Sequence, residues 1–152
     1  MKKVFFILVM IVFFITGCKG NKVDLETFID KATYSGYIIE ENNKGYESYP
    51  YIKKIYYAVN RENAYDIQFL ELESVDYAKK FFDINKKELE SLKSSMSYVK
   101  QINLPSYQIY HLETSDKYRL VLRSNNSIIY INASIDYINE IEEFLEELDI
   151  NY

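Results

Sequence analysis

Apolar and polar positions along the chain predict three helices and seven strands. Helical spacing of apolar residues after Asp24 predicts a first helix over 24–34, with further helices after Ser74 and Ser134. Runs rich in β-branched and aromatic residues, separated by turn residues, predict strands at 37–41, 52–59, 65–72, 98–104, 107–112, 118–123 and 128–133. The predicted order is therefore α-βββ-α-ββββ-α.

The third predicted strand indicates how the sheet is covered. Tyr65, Ile67 and Phe69 share one face, and Asp66 and Gln68 take the other, which is typical of a sheet with one solvated side. The pattern predicts a two-layer α+β domain, an antiparallel sheet with helices on one face.

A short repeat is consistent with an internal duplication. The stretch Ser74–Tyr77 recurs as Ser134–Tyr137, sixty residues later and again directly after a strand. Two explanations stay open: a duplicated unit of three strands and a helix, or the common use of Ser-x-Asp to begin a helix.

The N-terminus has a different composition from the rest of the chain. Met1, Lys2 and Lys3 precede twelve consecutive apolar residues at 4–15, and Thr16, Gly17 and Cys18 follow. A membrane-spanning helix needs about twenty apolar residues and a secretory signal about seven to fifteen. The pattern predicts a signal peptide over 1–17, a tether over 18–23 and a single domain over 24–152.

The stretch Ile15–Cys18 resembles the lipobox of bacterial lipoprotein signal peptides, although isoleucine and threonine replace the more usual leucine and alanine or serine. The resemblance implies cleavage before Cys18 and lipidation of its sulfur, with palmitate-type acyl chains holding the protein at the extracytoplasmic face of the cell membrane. An ordinary signal with a chance cysteine, or a short uncleaved anchor, is the alternative. The Lys, Ile, Asn and Tyr bias of the remaining chain resembles that of small uncharacterised lipoproteins of AT-rich bacteria and implies no activity.

Composition excludes several classes of partner and cofactor. The formal net charge is −5, and removing the two signal lysines leaves 16 basic against 23 acidic residues, so nucleic-acid binding is not expected. Gly20, Gly36 and Gly45 are isolated, so the chain has no phosphate-binding loop or dinucleotide motif. With one histidine and a single cysteine assigned to lipidation, we expect no disulfide, metal or cofactor.

Few residues are candidates for catalysis, and we expect no enzymatic activity. His111 lies in QIYHLE, and the chain has no glycine-flanked serine that could serve as its nucleophile. We therefore interpret His111 as an ordinary strand residue. Two carboxylate pairs could divide acid and base roles: Glu71 with Glu73, and Glu40 with Glu113 if their strands adjoin. They leave a small carboxylate-dependent envelope hydrolase as an alternative function.

A tyrosine-rich stretch, GYESYPYIKKIYY, is the candidate interaction surface. Exposed rings there would suit another envelope protein or a cell-wall glycan. The expected function is a membrane-anchored, non-catalytic binding module, and an inhibitor or protective lipoprotein acting on a secreted enzyme is a further alternative. The candidate residues are Tyr46, Tyr49, Tyr51, Tyr56 and Tyr57.

Overall fold

A computed structural model describes residues 23–41 and 49–150. Cys18 and Tyr46, two of the residues predicted to be functional, lie outside these ranges. The α+β class and the predicted element order are confirmed. The elements are α1 (Leu25–Tyr34), β1 (Ile38–Glu41), β2 (Ile52–Val59), β3 (Asp66–Leu72), α2 (Val75–Ser91), β4 (Tyr98–Asn103), β5 (Tyr107–Glu113), β6 (Lys117–Ser124), β7 (Ser127–Ser134), a 3-10 turn (Ile135–Tyr137) and α3 (Ile138–Glu147).

All seven strands form one antiparallel sheet in the order β1-β2-β3-β7-β6-β5-β4. Hairpins connect neighbours within each strand group, and the β3–β7 pair joins the two groups, with Phe69 opposite Ile129. The β6–β7 turn is only two residues long, and Asn125 adopts a φ of 55° there, a conformation that asparagine tolerates better than most residues.

Helices cover both faces of the sheet, so the predicted two-layer arrangement is wrong in this respect. One buried cluster joins strand residues such as Phe69 to α1 and α3, and the other joins strand residues such as Leu70 and Leu72 to α2. Side chains of consecutive strand residues point to opposite faces, so the apolar run at the end of β3 requires cover on both sides. We call these two sides the α1/α3 face and the α2 face.

The helix positions also bear on the predicted duplication. About the β3–β7 pair, the order of β1, β2 and β3 matches that of β5, β6 and β7, with β4 as an additional edge strand, and Phe69 pairs with Ile129, the residue sixty positions later. If a two-fold axis normal to the sheet related two repeats, the helices that follow β3 and β7 would lie on the same face of the sheet. These helices, α2 and α3, lie on opposite faces. The repeated serine begins a helix in both places, since Ser74 Oγ and Ser134 Oγ each accept a hydrogen bond from a backbone N–H. The strands fit a repeat, whereas the helices do not.

Aromatic packing fixes α1 and α3 against the sheet and against each other. The ring of Phe28 on α1 lies 5.0 Å from Phe69 and 5.9 Å from Phe144 on α3. Lys31 Nζ, on α1, lies 3.2 Å from Glu147 Oε2 at the end of α3. Helix α3 thereby crosses one end of the sheet, where it forms one wall of a cleft.

The two ends of the sheet carry different features, and we name them by residue. At the Val23 end, the Val23 amide donates to Ser124 Oγ at 3.3 Å, beside the β6–β7 turn. The start of β2, the end of β3 and the β4–β5 turn meet at this same end, where Glu73 N donates to the carbonyl of Tyr51 at 2.9 Å. The Glu113 end holds the end of β5 and the start of β4.

Candidate functional site

The predicted tyrosine surface is divided over the molecule. Tyr56 and Tyr57 are consecutive on β2, so Tyr56 packs partly against the α1/α3 face and Tyr57 partly against the α2 face. Tyr49 and Tyr51 lie at the Val23 end, at the start of β2. These four residues therefore do not form one continuous surface.

Tyr49 and Tyr51 instead form an aromatic group with a residue from α2. The ring centroids of Tyr49 and Tyr51 are 5.7 Å apart, and Tyr77 stacks on Tyr51 at 5.1 Å. The ammonium group of Lys80 lies 5.6 Å from the centroid of the Tyr77 ring. We call Tyr49, Tyr51 and Tyr77 the tyrosine stack; Tyr77 is the member that the sequence did not indicate.

Neither predicted carboxylate pair forms a common site. Glu40 on β1 and Glu113 on β5 are separated by five strand spacings of about 4.8 Å, or roughly 24 Å. Glu71 lines a cavity of about 540 Å³ at the Val23 end, whereas Glu73 lies beyond the end of β3 and does not line that cavity.

The cleft at the Glu113 end brings several ionisable groups together. It has a volume of about 450 Å³ and lies between the β4–β5 edge and α3. The apolar side chains of Leu145 and Ile150 contribute to its wall. We call it the His111 cleft; its polar lining residues are Tyr98, Lys100, His111, Glu113, Glu142 and Glu146.

Strand register places these groups on one side of the sheet. Lys100 is opposite His111, and Tyr98 is opposite Glu113, in the antiparallel β4–β5 pair. Residues two apart on a strand share a face, so all four point towards α3. The imidazole of His111 also packs 4.5 Å from the ring of Tyr118, between centroids.

His111 and Glu113 are in contact in this cleft, with His111 Nε2 lying 3.2 Å from Glu113 Oε1. Burial, and to a lesser extent the charge of Lys100, lowers the pKa of His111 from 6.5 to about 4. Burial also raises the pKa of Glu113, helped by Glu142 and opposed by Lys100. At neutral pH the imidazole is therefore uncharged.

The cleft is concave and lined by ionisable side chains, but these residues do not form a recognisable metal site. Within 23–41 and 49–150, no group of three or more His, Cys, Asp and Glu side chains could hold a metal ion. Among the same residues, no helix has both the length and the apolar character needed to cross a bilayer.

Comparison with known proteins provides no functional relative. No protein-family model and no curated protein matches the chain. A crystal structure of a GTP binding regulator from Thermotoga maritima is similar over 83% of this chain and 84% of that chain, with 15% identity and a TM-score of 0.45. At that level of similarity the other protein's function has no bearing on this chain.

Proposed function

We propose that this protein is a lipid-anchored, extracytoplasmic, non-catalytic binding module of a bacterial envelope. Its partner site is the His111 cleft together with the exposed residues beside it. The observation that carries the proposal is the placement of Val23 and the His111 cleft at opposite ends of the sheet.

Chain length supports this orientation. The five residue-to-residue steps from Cys18 to Val23 span at most about 18 Å even when fully extended. Val23 itself is buried against the sheet. An acyl chain on Cys18 would therefore hold the Val23 end near the membrane, with the His111 cleft facing away from it. Strand β5, which runs between the two ends, covers about 20 Å over its seven residues.

Exposed apolar side chains beside the cleft support partner binding. Met96 is 85% exposed and Tyr98 is 52% exposed, and Tyr98 also lines the cleft. Methionine and tyrosine are enriched in protein–protein interfaces, where charged groups are excluded from the centre. A partner that covered Met96 and Tyr98 would place its own polar groups against Lys100 and the cleft glutamates.

The burial of His111 supports a non-catalytic role. Its side chain is only 1% exposed, although a general base must reach the proton that it removes. The polar groups that remain accessible around it are suited to recognition.

Crosslinking on intact producing cells tests the proposal. We expect a stoichiometric partner with the wild-type protein, and its loss in a Cys18→Ala strain and in a Met96→Ser strain. Ile84→Ser is the matched control, since Ile84 is also an exposed apolar residue but lies in the middle of α2. Equal recovery of the partner from Met96→Ser and wild-type cells would contradict the assigned site, and an unacylated mature protein would contradict the anchor.

The contact between His111 and Glu113 favours one alternative, a small envelope hydrolase. Glu113, whose pKa is raised by burial, would then act as the acid and His111 as its partner. This alternative predicts that Glu113→Gln abolishes turnover of a cell-wall substrate while the circular dichroism spectrum stays unchanged. Turnover that survives this substitution would exclude it.

A further inference from the structure

We propose that the Val23 end of the sheet is a membrane-contact surface, in which the tyrosine stack and Leu104 rest in the lipid headgroup region. The inference depends on the lipid anchor of the proposed function and adds a second, non-covalent contact with the same membrane.

The tyrosine stack leaves apolar surface exposed at this end. Tyr49 is 45% exposed and Tyr77 is 41% exposed, although each ring already packs against Tyr51. Across the sheet, Leu104 is 49% exposed in the β4–β5 turn, which is closed by hydrogen bonds between Leu104 and Tyr107 in both directions. Ring contacts position the two exposed tyrosines, and the hydrogen-bonded turn positions Leu104.

The tether over 18–23 would join the domain at a point between the tyrosine stack and Leu104. Val23 lies at β6, three strand spacings from β2 and two from β4 in the sheet order. Measured along the sheet at about 4.8 Å per strand, the tyrosine stack is roughly 15 Å to one side of Val23 and Leu104 roughly 10 Å to the other. Both lateral distances are shorter than the reach of about 18 Å that the chain from Cys18 to Val23 allows. Acylation of Cys18 would therefore bring both groups to the bilayer surface.

The chemistry of the exposed groups suits the headgroup region. A tyrosine ring presents an apolar body and a polar hydroxyl, which explains why tyrosine is enriched at membrane–water interfaces. The ammonium group of Lys80, next to Tyr77, is placed to approach lipid phosphates.

Charge indicates which side of this end approaches the bilayer. The cavity on the α1 side of the Val23 end contains four carboxylates against one amine, Lys54. Anionic lipids would repel that side, so the molecule should tilt with the tyrosine stack nearer to the headgroups. The four carboxylates are those of Asp24, Glu26, Asp30 and Glu71.

Single tryptophan reporters test this surface, because the chain contains no tryptophan. The variants are Tyr49→Trp at the Val23 end and Leu104→Trp as an independent reporter at the same end. Tyr34→Trp is the matched control: Tyr34 is 82% exposed and ends α1 near Gly36, whose carbonyl accepts a hydrogen bond from Arg61 beyond the other end of β2. The full acylated chain is reconstituted into phosphatidylcholine–phosphatidylglycerol vesicles with or without brominated acyl chains, and fluorescence quenching is measured.

We expect strong quenching of the Tyr49→Trp and Leu104→Trp reporters by brominated lipid, several-fold greater than that of Tyr34→Trp. If all three proteins float with the vesicles but are quenched equally, the membrane-contact surface is refuted while the lipid anchor stands. If the chain carries no acyl group and does not float, the anchor and the surface are refuted together.

Discussion

Acidification should destabilise the domain through His111. The unfolded chain protonates a histidine near pH 6.5, whereas the folded protein keeps His111 neutral down to about pH 4, because burial and Lys100 disfavour the imidazolium. The unfolded state therefore binds the proton first, and stability is lost as the pH falls from 6.5 to about 4. At about 1.4 kcal/mol per pH unit, protonation of this histidine alone lowers the free energy of unfolding by about 3 kcal/mol over that interval. The total free energy of unfolding of domains of this size is about 5–15 kcal/mol.

His111→Gln removes the titrating group and should flatten the pH dependence of stability. The measurement is urea unfolding at several pH values between 6.5 and 4, followed by far-ultraviolet circular dichroism. Glu113 contributes in the opposite sense, because a carboxyl with a raised pKa takes up its proton first in the folded state. The comparison is therefore also made in a Glu113→Gln background. Equal acid sensitivity with and without His111 in that background would refute the reasoning.

Two further predictions concern buried polar groups. The buried guanidinium of Arg123 donates hydrogen bonds to one side-chain oxygen and two backbone carbonyls at 2.6–3.0 Å. Arg123→Met should therefore lower the free energy of unfolding, measured in urea, by about 3 kcal/mol. A decrease below about 1 kcal/mol would show that those carbonyls find other partners. Burial raises the pKa of Tyr37 to about 12 and that of Tyr65 further, and their hydroxyls share a hydrogen bond of 2.7 Å. Spectrophotometric titration should therefore show tyrosines that ionise only near pH 12 or on unfolding, and the Tyr37→Phe variant should show fewer of them. Ionisation of all tyrosines near pH 10 would contradict the burial of this pair.

Local signals in the sequence were sufficient to locate the elements. Asp24 and Ser74 begin α1 and α2 as predicted, because each side chain accepts a hydrogen bond from a backbone N–H in the first turn. The face that each helix covers is not a local property. Leu70 and Leu72 follow Phe69 and put apolar groups on the second face, but the alternation at the start of β3 suggested that this face was solvated.

The site residues could be predicted only in part, because long-range packing assembles them. A strand places His111 and Glu113 on one face, two residues apart, so their contact could have been read from QIYHLE. Glu142 and Glu146 join them because α3 crosses that end of the sheet, which no local pattern encodes. Tyr77 likewise meets Tyr51 because α2 begins beside the start of β2.

Site-specific photocrosslinking on intact cells tests the opposite orientation of the two ends most directly. A benzophenone side chain is introduced at Tyr98, beside the His111 cleft, or at Tyr49, in the tyrosine stack, and the acylated protein is irradiated and analysed by mass spectrometry. The account predicts one protein or glycan adduct from position 98 and lipid adducts from position 49. Lipid adducts from position 98, or the same soluble partner from both positions, would contradict it.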